Sequence, residues 1–121
     1  MDKNRGKKIL IVEDDREYRN ILSEILKESG FVILEAENGE VGLEVLKNSQ
    51  VDLILLDIIM PEMDGGGFLY RLKNTLKKDI PVIILTNLVE GPYKEEGTDF
   101  VIKANVSLDE IVKKVKAKLQ L

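Results

Sequence analysis

The chain has 121 residues, a formal net charge of −4, and neither cysteine nor histidine. This length predicts one domain with a single substantial core, and the acidic balance argues against a nucleic-acid-binding surface, which needs a basic face. The composition excludes disulfides, thiolate and imidazole metal sites, and a phosphohistidine. No apolar run approaches the ~18 residues of a membrane helix, so we expect a cytoplasmic protein that contacts neither membrane nor nucleic acid.

Apolar runs of strand length alternate with runs that have the 3.6-residue period of a helix. Capping residues support the helix boundaries: Asp14 or Asp15 can cap the first helix, Gly30 can end it, and Ser107 with Glu110 predicts a capping box at the last one. The predicted elements are strands over 8–12, 32–36, 51–56, 82–85 and 99–102, and helices over 15–28, 40–48, 68–76 and after 107.

Two segments interrupt this alternation. Pro61 and the three glycines at 65–67 predict a loop after the third strand, which delays the next helix. The connection between Thr86 and Lys103 contains two glycines and a proline, and a regular fourth helix scarcely fits there. We therefore expect mostly loop between the fourth and fifth strands.

Strands that alternate with helices predict a parallel sheet covered on both faces. Five such strands suit the flavodoxin-like strand order 2-1-3-4-5. We therefore predict a doubly wound α/β domain over residues 1–121, with a shortened or missing fourth helix and no second domain.

Four of the predicted strands end on residues with metal or phosphate chemistry: Glu13 and Asp14, Asp57, Thr86, and Lys103. The carboxyl ends of parallel strands meet at one edge of the sheet, where open α/β folds bind ligands. A carboxylate there can act as a nucleophile and form an aspartyl phosphate. Clustered carboxylates repel one another and need a cation, and Mg²⁺ is the natural candidate where histidine and cysteine are absent.

Each of these residues also has a purely structural interpretation. Asp14 could serve only as a helix cap, Thr86 is at home at a strand end, and most lysines are solvated like any surface cation. Their occurrence at successive strand ends favours a shared site for Mg²⁺-assisted phosphoryl transfer, in which a lysine and a hydroxyl would contact the phosphoryl oxygens.

Four motifs occur along the chain in a fixed order. They are Ile9-Leu10-Ile11-Val12-Glu13-Asp14-Asp15, Leu55-Leu56-Asp57-Ile58-Ile59-Met60-Pro61-Glu62-Met63-Asp64-Gly65, Ile84-Leu85-Thr86-Asn87 and Phe100-Val101-Ile102-Lys103. Together they resemble the receiver domain of bacterial two-component response regulators, in particular single-domain, chemotaxis-regulator-like members. The resemblance covers essentially the whole chain, and the stretch Asp-x-x-Met-Pro-x-Met-Asp-Gly is highly specific.

The resemblance implies a phosphoacceptor and a metal site. Asp57 would accept the phosphoryl group. Glu13, Asp14 and Asp57 would bind Mg²⁺, with the backbone carbonyl of Ile59 as a further ligand.

The resemblance also implies a switch. Thr86 and Lys103 would contact the phosphoryl group, and Thr86 and Phe100 would form the family's switch pair, so that the face around residues 86–105 changes on phosphorylation. A histidine kinase or histidine phosphotransfer protein would supply the phosphoryl group, and a downstream protein or an output domain would receive the signal. Such a domain assists its own phosphorylation and is no enzyme on an external substrate; the oligomeric state stays open.

Two features depart from the family's pattern. Ala104 follows Lys103 where the family often has a proline after a cis peptide bond, and a cis bond before a non-proline residue costs ~2.5–4 kcal/mol. The geometry of this bond is therefore open. The connection over residues 87–99 is shorter than the family's usual fourth helix, so the partner surface is the property least safely transferred.

Other functions fit parts of the same pattern. A binding module of this fold that no longer cycles would be fixed in one state by its shortened fourth connection, but the retained acidic cluster, Thr86 and Lys103 count against it. A Mg²⁺-dependent phosphohydrolase with Asp57 as nucleophile would commonly need a second acid two residues later, where this chain has Ile59. A flavin carrier would need a phosphate-binding loop after the first strand, where the acidic triplet at residues 13–15 would repel phosphate.

Overall fold

The computed structural model describes residues 6–58, 65–87 and 99–120. Within these ranges, strands and helices alternate up to the fourth strand, and the fifth is followed by a 3₁₀ turn and a last helix. The elements are β1 (Lys8–Val12), α1 (Arg16–Glu28), β2 (Val32–Ala36), α2 (Gly39–Asn48), β3 (Leu53–Asp57), α3 (Gly65–Asn74), β4 (Val82–Thr86), β5 (Asp99–Ile102), the 3₁₀ turn (Lys103–Asn105) and α4 (Leu108–Lys118).

The five strands form one parallel sheet in the order β2-β1-β3-β4-β5. The predicted fold class and strand order are therefore confirmed. Every residue of β3 and β4 is buried, as expected for central parallel strands that are covered on both faces and consist of continuous apolar runs.

Side chains alternate across the sheet and build two cores. Leu10 and Val12 belong to the core under α2 and α3, whereas Ile9 and Ile11 belong to the core under α1 and α4. Each helix contributes apolar side chains to one of these cores, so the sheet lies between two layers of helices.

Most predicted boundaries agree with the structure to within two residues. The expected capping box at α4 is present: the Ser107 hydroxyl accepts from the Glu110 N–H, and the Glu110 carboxylate accepts from the Ser107 N–H. Gly30 follows α1 with φ +98°, a conformation that suits glycine. β3 and β4 each extend one residue further than predicted, so Asp57 and Thr86 belong to the strands themselves.

The predicted loop over the three glycines at 65–67 is wrong, because α3 begins at Gly65. Glycine in a helix costs about 1 kcal/mol against alanine. Tertiary packing outweighs that cost here, since Phe68 and Leu72 on the same helix are buried in the core. The 3₁₀ turn after β5 was likewise not predicted from the sequence.

Two expectations fall outside the described residues. Ile59 lies in the range 59–64, and most of the connection expected to replace a fourth helix lies in the range 88–98. The described ranges contain no cis peptide bond, so the bond between Lys103 and Ala104 is trans. Among the helices that are described, none has the length and apolarity to cross a membrane.

Candidate functional site

The turn between β1 and α1 carries the first acidic residues of the site. Asp15 is the N-cap of α1: its Oδ1 accepts from the N–H groups of Glu17 at 3.1 Å and Tyr18 at 3.3 Å. The two alternatives left open for the cap are thus resolved in favour of Asp15. Asp14 lies exposed beside it and does not cap the helix, which was the structural role considered for it.

Three carboxylates meet at the carboxyl edge of the sheet. One oxygen from each of Glu13, Asp14 and Asp57 lies within 4.8 Å of the others. The strand order explains this, because β3 pairs directly with β1 and Val12 stands opposite Leu56. Glu13 is only 2% exposed and Asp57 only 8%, so two of the three acids are buried.

Lys103 brings a cation to these acids from the other side. Its Nζ forms an ion pair with Glu13 Oε1 and lies 3.7 Å from Asp57 Oδ2. The lysine follows β5 directly, and its long side chain crosses in front of β4 to reach them. The structure therefore brings Glu13, Asp57 and Lys103 together at one edge of the sheet, as predicted.

Thr86 and Phe100 lie on neighbouring strands. Thr86 is the last residue of β4 and is 1% exposed, and the register sets it opposite Ile102. Phe100 pairs with Ile84 two residues earlier, and its half-buried ring packs against the core under α2 and α3. Thr86 therefore ends at the level of the acidic cluster, whereas Phe100 lies below it in the sheet.

The end of β4 is also linked to the turn that carries Lys103. The side-chain oxygen of Asn87 accepts from the backbone N–H of Ala104 at 3.2 Å. This contact joins the residue after Thr86 to the 3₁₀ turn after β5.

The electrostatics of the site are dominated by burial of negative charge. Burial, together with the neighbouring Asp57 carboxyl, raises the pKa of Glu13 to about 7, although Lys103 pulls in the opposite direction. Among the described residues, one lysine thus faces two buried carboxylates and a third at the surface. The donor set consists of hard oxygens without histidine or cysteine, which fits Mg²⁺ rather than a softer metal.

Two residues around the site were not assigned a role from the sequence. The Lys103 ammonium lies 4.5 Å from the centroid of the Tyr18 ring. The Arg19 guanidinium donates to the backbone carbonyl of Glu13 at 2.7 Å and pairs with Glu35 at 3.3 Å. Their position in the first turn after the acidic motif is the one sequence signal that could have suggested these contacts.

The sequence profile of the response regulator receiver domain matches residues 9–116. This chain belongs to that family. Receiver domains are signalling domains, and their family role is that of a phosphorylation-activated switch in two-component systems.

Sequence relatives of this receiver domain include longer proteins. It is 37% identical over 126 aligned residues to the transcriptional regulatory protein ResD of Bacillus subtilis, an alignment that covers 99% of this chain and 51% of ResD. A probable transcriptional regulator ycf27 of Pyropia yezoensis is 38% identical, with 83% of this chain and 42% of the relative covered. The receiver domain thus spans about half the length, or less, of these curated relatives.

Solved receiver domains share the fold. The response regulator TrrA of Thermotoga maritima, in complex with Mg²⁺–BeF, superposes with a TM-score of 0.79 at 34% identity, covering 93% of this chain and 98% of TrrA. A CheY-like receiver domain from Methanospirillum hungatei gives a TM-score of 0.85 at 28% identity, covering 95% and 94%.

Proposed function

We propose that residues 1–121 form one receiver domain that accepts a phosphoryl group on Asp57 and is reset when the acyl phosphate hydrolyses. One observation carries this proposal. A buried carboxylate at the end of a central strand lies among two further carboxylates, with the Lys103 ammonium 3.7 Å away. No external substrate is needed for such a cycle, so the domain would act as a switch and not as a turnover enzyme.

The transfer step follows from the groups that surround Asp57. A carboxylate oxygen of Asp57 would attack the phosphorus of a phosphohistidine, the N–P bond would break, and its electron pair would stay on the imidazole nitrogen. Residues 1–121 contain no histidine, so the phosphohistidine would lie outside this domain. The Lys103 ammonium and the Thr86 hydroxyl would contact the phosphoryl oxygens and offset their charge.

Glu13, Asp14 and Asp57 are the residues that would hold Mg²⁺, with the backbone carbonyl of Ile59 as a further ligand on the strength of the motif alone. When bound, the ion would neutralise charge on the carboxylates and on the transferred group. Support for this metal comes from the oxygen-only donor set and from the presence of Mg²⁺–BeF in the related TrrA structure.

Thr86 and Phe100 would form the switch. Phosphorylation would draw the Thr86 hydroxyl toward the phosphoryl group, the Phe100 ring would turn inward, and the face around residues 86–105 would change. Burial of Thr86 at the end of β4, next to the strand that carries Phe100, supports this pairing.

The donor would be a histidine kinase or a histidine phosphotransfer protein, and the signal would pass to a downstream protein or to an output domain. Two relatives support these partner classes: ResD, named a transcriptional regulatory protein, is about twice as long as the aligned region, and a protein named histidine kinase P4 of Formosa agariphila is 40% identical over 75% of this chain. We propose a cytoplasmic location, without direct contact to nucleic acid or membrane.

Incubation with acetyl phosphate and Mg²⁺, followed by intact-mass and peptide mass spectrometry, tests the phosphoacceptor. We expect one phosphoryl group on Asp57, none without Mg²⁺, and none in Asp57→Asn. Asp52→Asn is the matched control, because Asp52 precedes the same strand at the opposite edge of the sheet and should leave labelling unchanged. Labelling that persists in Asp57→Asn at the wild-type rate would refute the assignment.

A titration with Mg²⁺ in the presence and absence of beryllofluoride separates a cycling switch from a binding module that has lost the chemistry. For a switch, beryllofluoride should bind only with Mg²⁺ and should perturb the amide resonances of residues 86–105. If Mg²⁺ binds but beryllofluoride never does, the domain is a non-cycling module.

A further inference from the structure

The ammonium of Lys103 has two kinds of neighbour. On one side it pairs with Glu13 Oε1 and lies 3.7 Å from Asp57 Oδ2. On the other side it lies over the Tyr18 ring, 4.5 Å from the centroid. A cation within about 6 Å of a ring centroid is attracted by the negative face of the aromatic system. The lysine is therefore held by carboxylates and by an aromatic face at the same time.

The Tyr18 ring is itself held in place by the fold. Tyr18 is the third residue of α1, and its N–H donates to the Asp15 cap at 3.3 Å. Its half-buried side chain packs against the core under α1 and α4. The same helix start thus fixes both the acidic turn at residues 13–15 and the ring that faces the lysine.

The phenol of Tyr18 stays neutral. Burial, together with the nearby negative charges of Glu13 and Asp57, raises the pKa of Tyr18 to about 12. At neutral pH the residue consequently offers Lys103 the face of an uncharged ring and not a phenolate.

We propose that Tyr18 is a positioning residue that keeps the Lys103 ammonium in the site during phosphorylation. This role rests on the proposed function. Under it, oxygens of Glu13 and Asp57 that now face the ammonium are required for Mg²⁺ and for the new bond to phosphorus. The aromatic face is no ligand for Mg²⁺. The contact between the Tyr18 ring and Lys103 would therefore persist when the carboxylates bind the metal.

An NMR measurement tests the contact without Mg²⁺ or a phosphodonor. Protons above an aromatic ring are shifted upfield, so the methylene protons next to Nζ of Lys103 should resonate upfield of the other lysines. Lys103→Met identifies this resonance by its loss. Tyr18→Phe should keep the shift and Tyr18→Leu should abolish it.

A kinetic measurement tests the consequence. With Mg²⁺ saturating and acetyl phosphate as donor, we expect Tyr18→Leu to slow phosphorylation of Asp57 by roughly 3- to 10-fold, the range that a partly desolvated cation–π contact would supply. Tyr18→Phe retains the ring and should stay within about twofold of the wild-type rate. Should circular dichroism find Tyr18→Leu unfolded, Tyr18→Met replaces it as another large, apolar, helix-compatible side chain.

The outcomes separate this inference from the proposed function. If the wild type is labelled at Asp57, three results would each overturn the role of Tyr18 alone. The first is an unaltered rate in Tyr18→Leu, and the second is a failure of Tyr18→Phe to restore the rate. The third is an unshifted Lys103 resonance in the wild type. Absence of wild-type labelling at Asp57 would overturn the proposed function, and the role of Tyr18 with it, whatever the NMR spectra report about the contact.

Discussion

The two ends of β5 each carry a pair between a lysine and a carboxylate, but in opposite environments. At the amino end, Lys118 lies 3.3 Å from Asp99, whose side chain is 51% exposed. At the carboxyl end, Lys103 pairs with Glu13, which is almost fully buried, and approaches Asp57. An exposed pair of this kind is worth little to stability because water and salt screen it.

Burial changes what such a pair does. The acids at the carboxyl end cannot be solvated, so their charge must be met by a lysine, by a bound cation or by protonation. That requirement makes the buried pair, and not the exposed one, the candidate for the proposed metal and phosphoryl chemistry. Position in the fold and burial, more than residue type, therefore separate the buried pair from the surface pair.

Replacing each lysine in turn is the strongest test of the difference between the buried and the exposed ion pair. Lys103→Met leaves two buried carboxylates without their cation and should cost about 3 kcal/mol of unfolding free energy. Lys118→Met should cost about 0.5 kcal/mol, since its partner is exposed. Urea unfolding in metal-free buffer measures both, and equal costs for the two variants would contradict the contrast.

The pH dependence of stability sharpens the same contrast. The Glu13 carboxyl has a pKa of about 7 in the folded protein and an ordinary value of 4.5 when unfolded. Between these two pKa values the folded state binds more protons than the unfolded state. The stability contributed by protonation of Glu13 should therefore be complete at low pH and be lost as the pH rises through 7.

Urea unfolding of the wild type and Glu13→Gln at about pH 5 and about pH 8 measures this loss. The decline should be weaker in Glu13→Gln, because the glutamine does not titrate. Mg²⁺ should restore the wild-type stability at the higher pH, since it binds the folded state. If the stability of the wild type instead rises with pH, and rises more than that of Glu13→Gln, the predicted direction of the effect is contradicted.

A smaller effect is expected at a buried polar group that carries no charge. Ser23 in α1 is buried, and its hydroxyl has no hydrogen-bond partner in the described part of the chain. Ser23→Ala should therefore stabilise the protein by about 1 kcal/mol, because an unsatisfied buried hydroxyl costs free energy. Thermal unfolding with unchanged Asp57 labelling is the check, and a destabilised variant would indicate that the hydroxyl is satisfied after all.

Much of the sheet and its edge followed from local patterns. Continuous apolar runs predicted all five strands, and the rule that parallel strands share a carboxyl edge predicted that Glu13, Asp57 and Lys103 would meet. Both inferences depend on period and order along the chain, which the sequence contains directly.

What could not be predicted depends on contacts between distant side chains. The glycines at 65–67 lie in a helix because buried Phe68 anchors it, a tertiary effect that local propensity does not contain. The approach of Lys103 to Tyr18 needs the sheet order, the helix cap and two side-chain conformations together. The roles of these residues in phosphorylation stay predictions until the labelling experiments are made.

The hydrogen bond from Ala104 to Asn87 has a mechanical consequence. It fastens the segment just past Thr86 to the turn that begins at Lys103, and that turn leads within a few residues to the capped start of α4. A displacement at the end of β4 would thus be transmitted to the turn after β5 and to the beginning of α4. In Asn87→Ala, which removes this hydrogen bond, we expect the coupling between the two segments to be weaker.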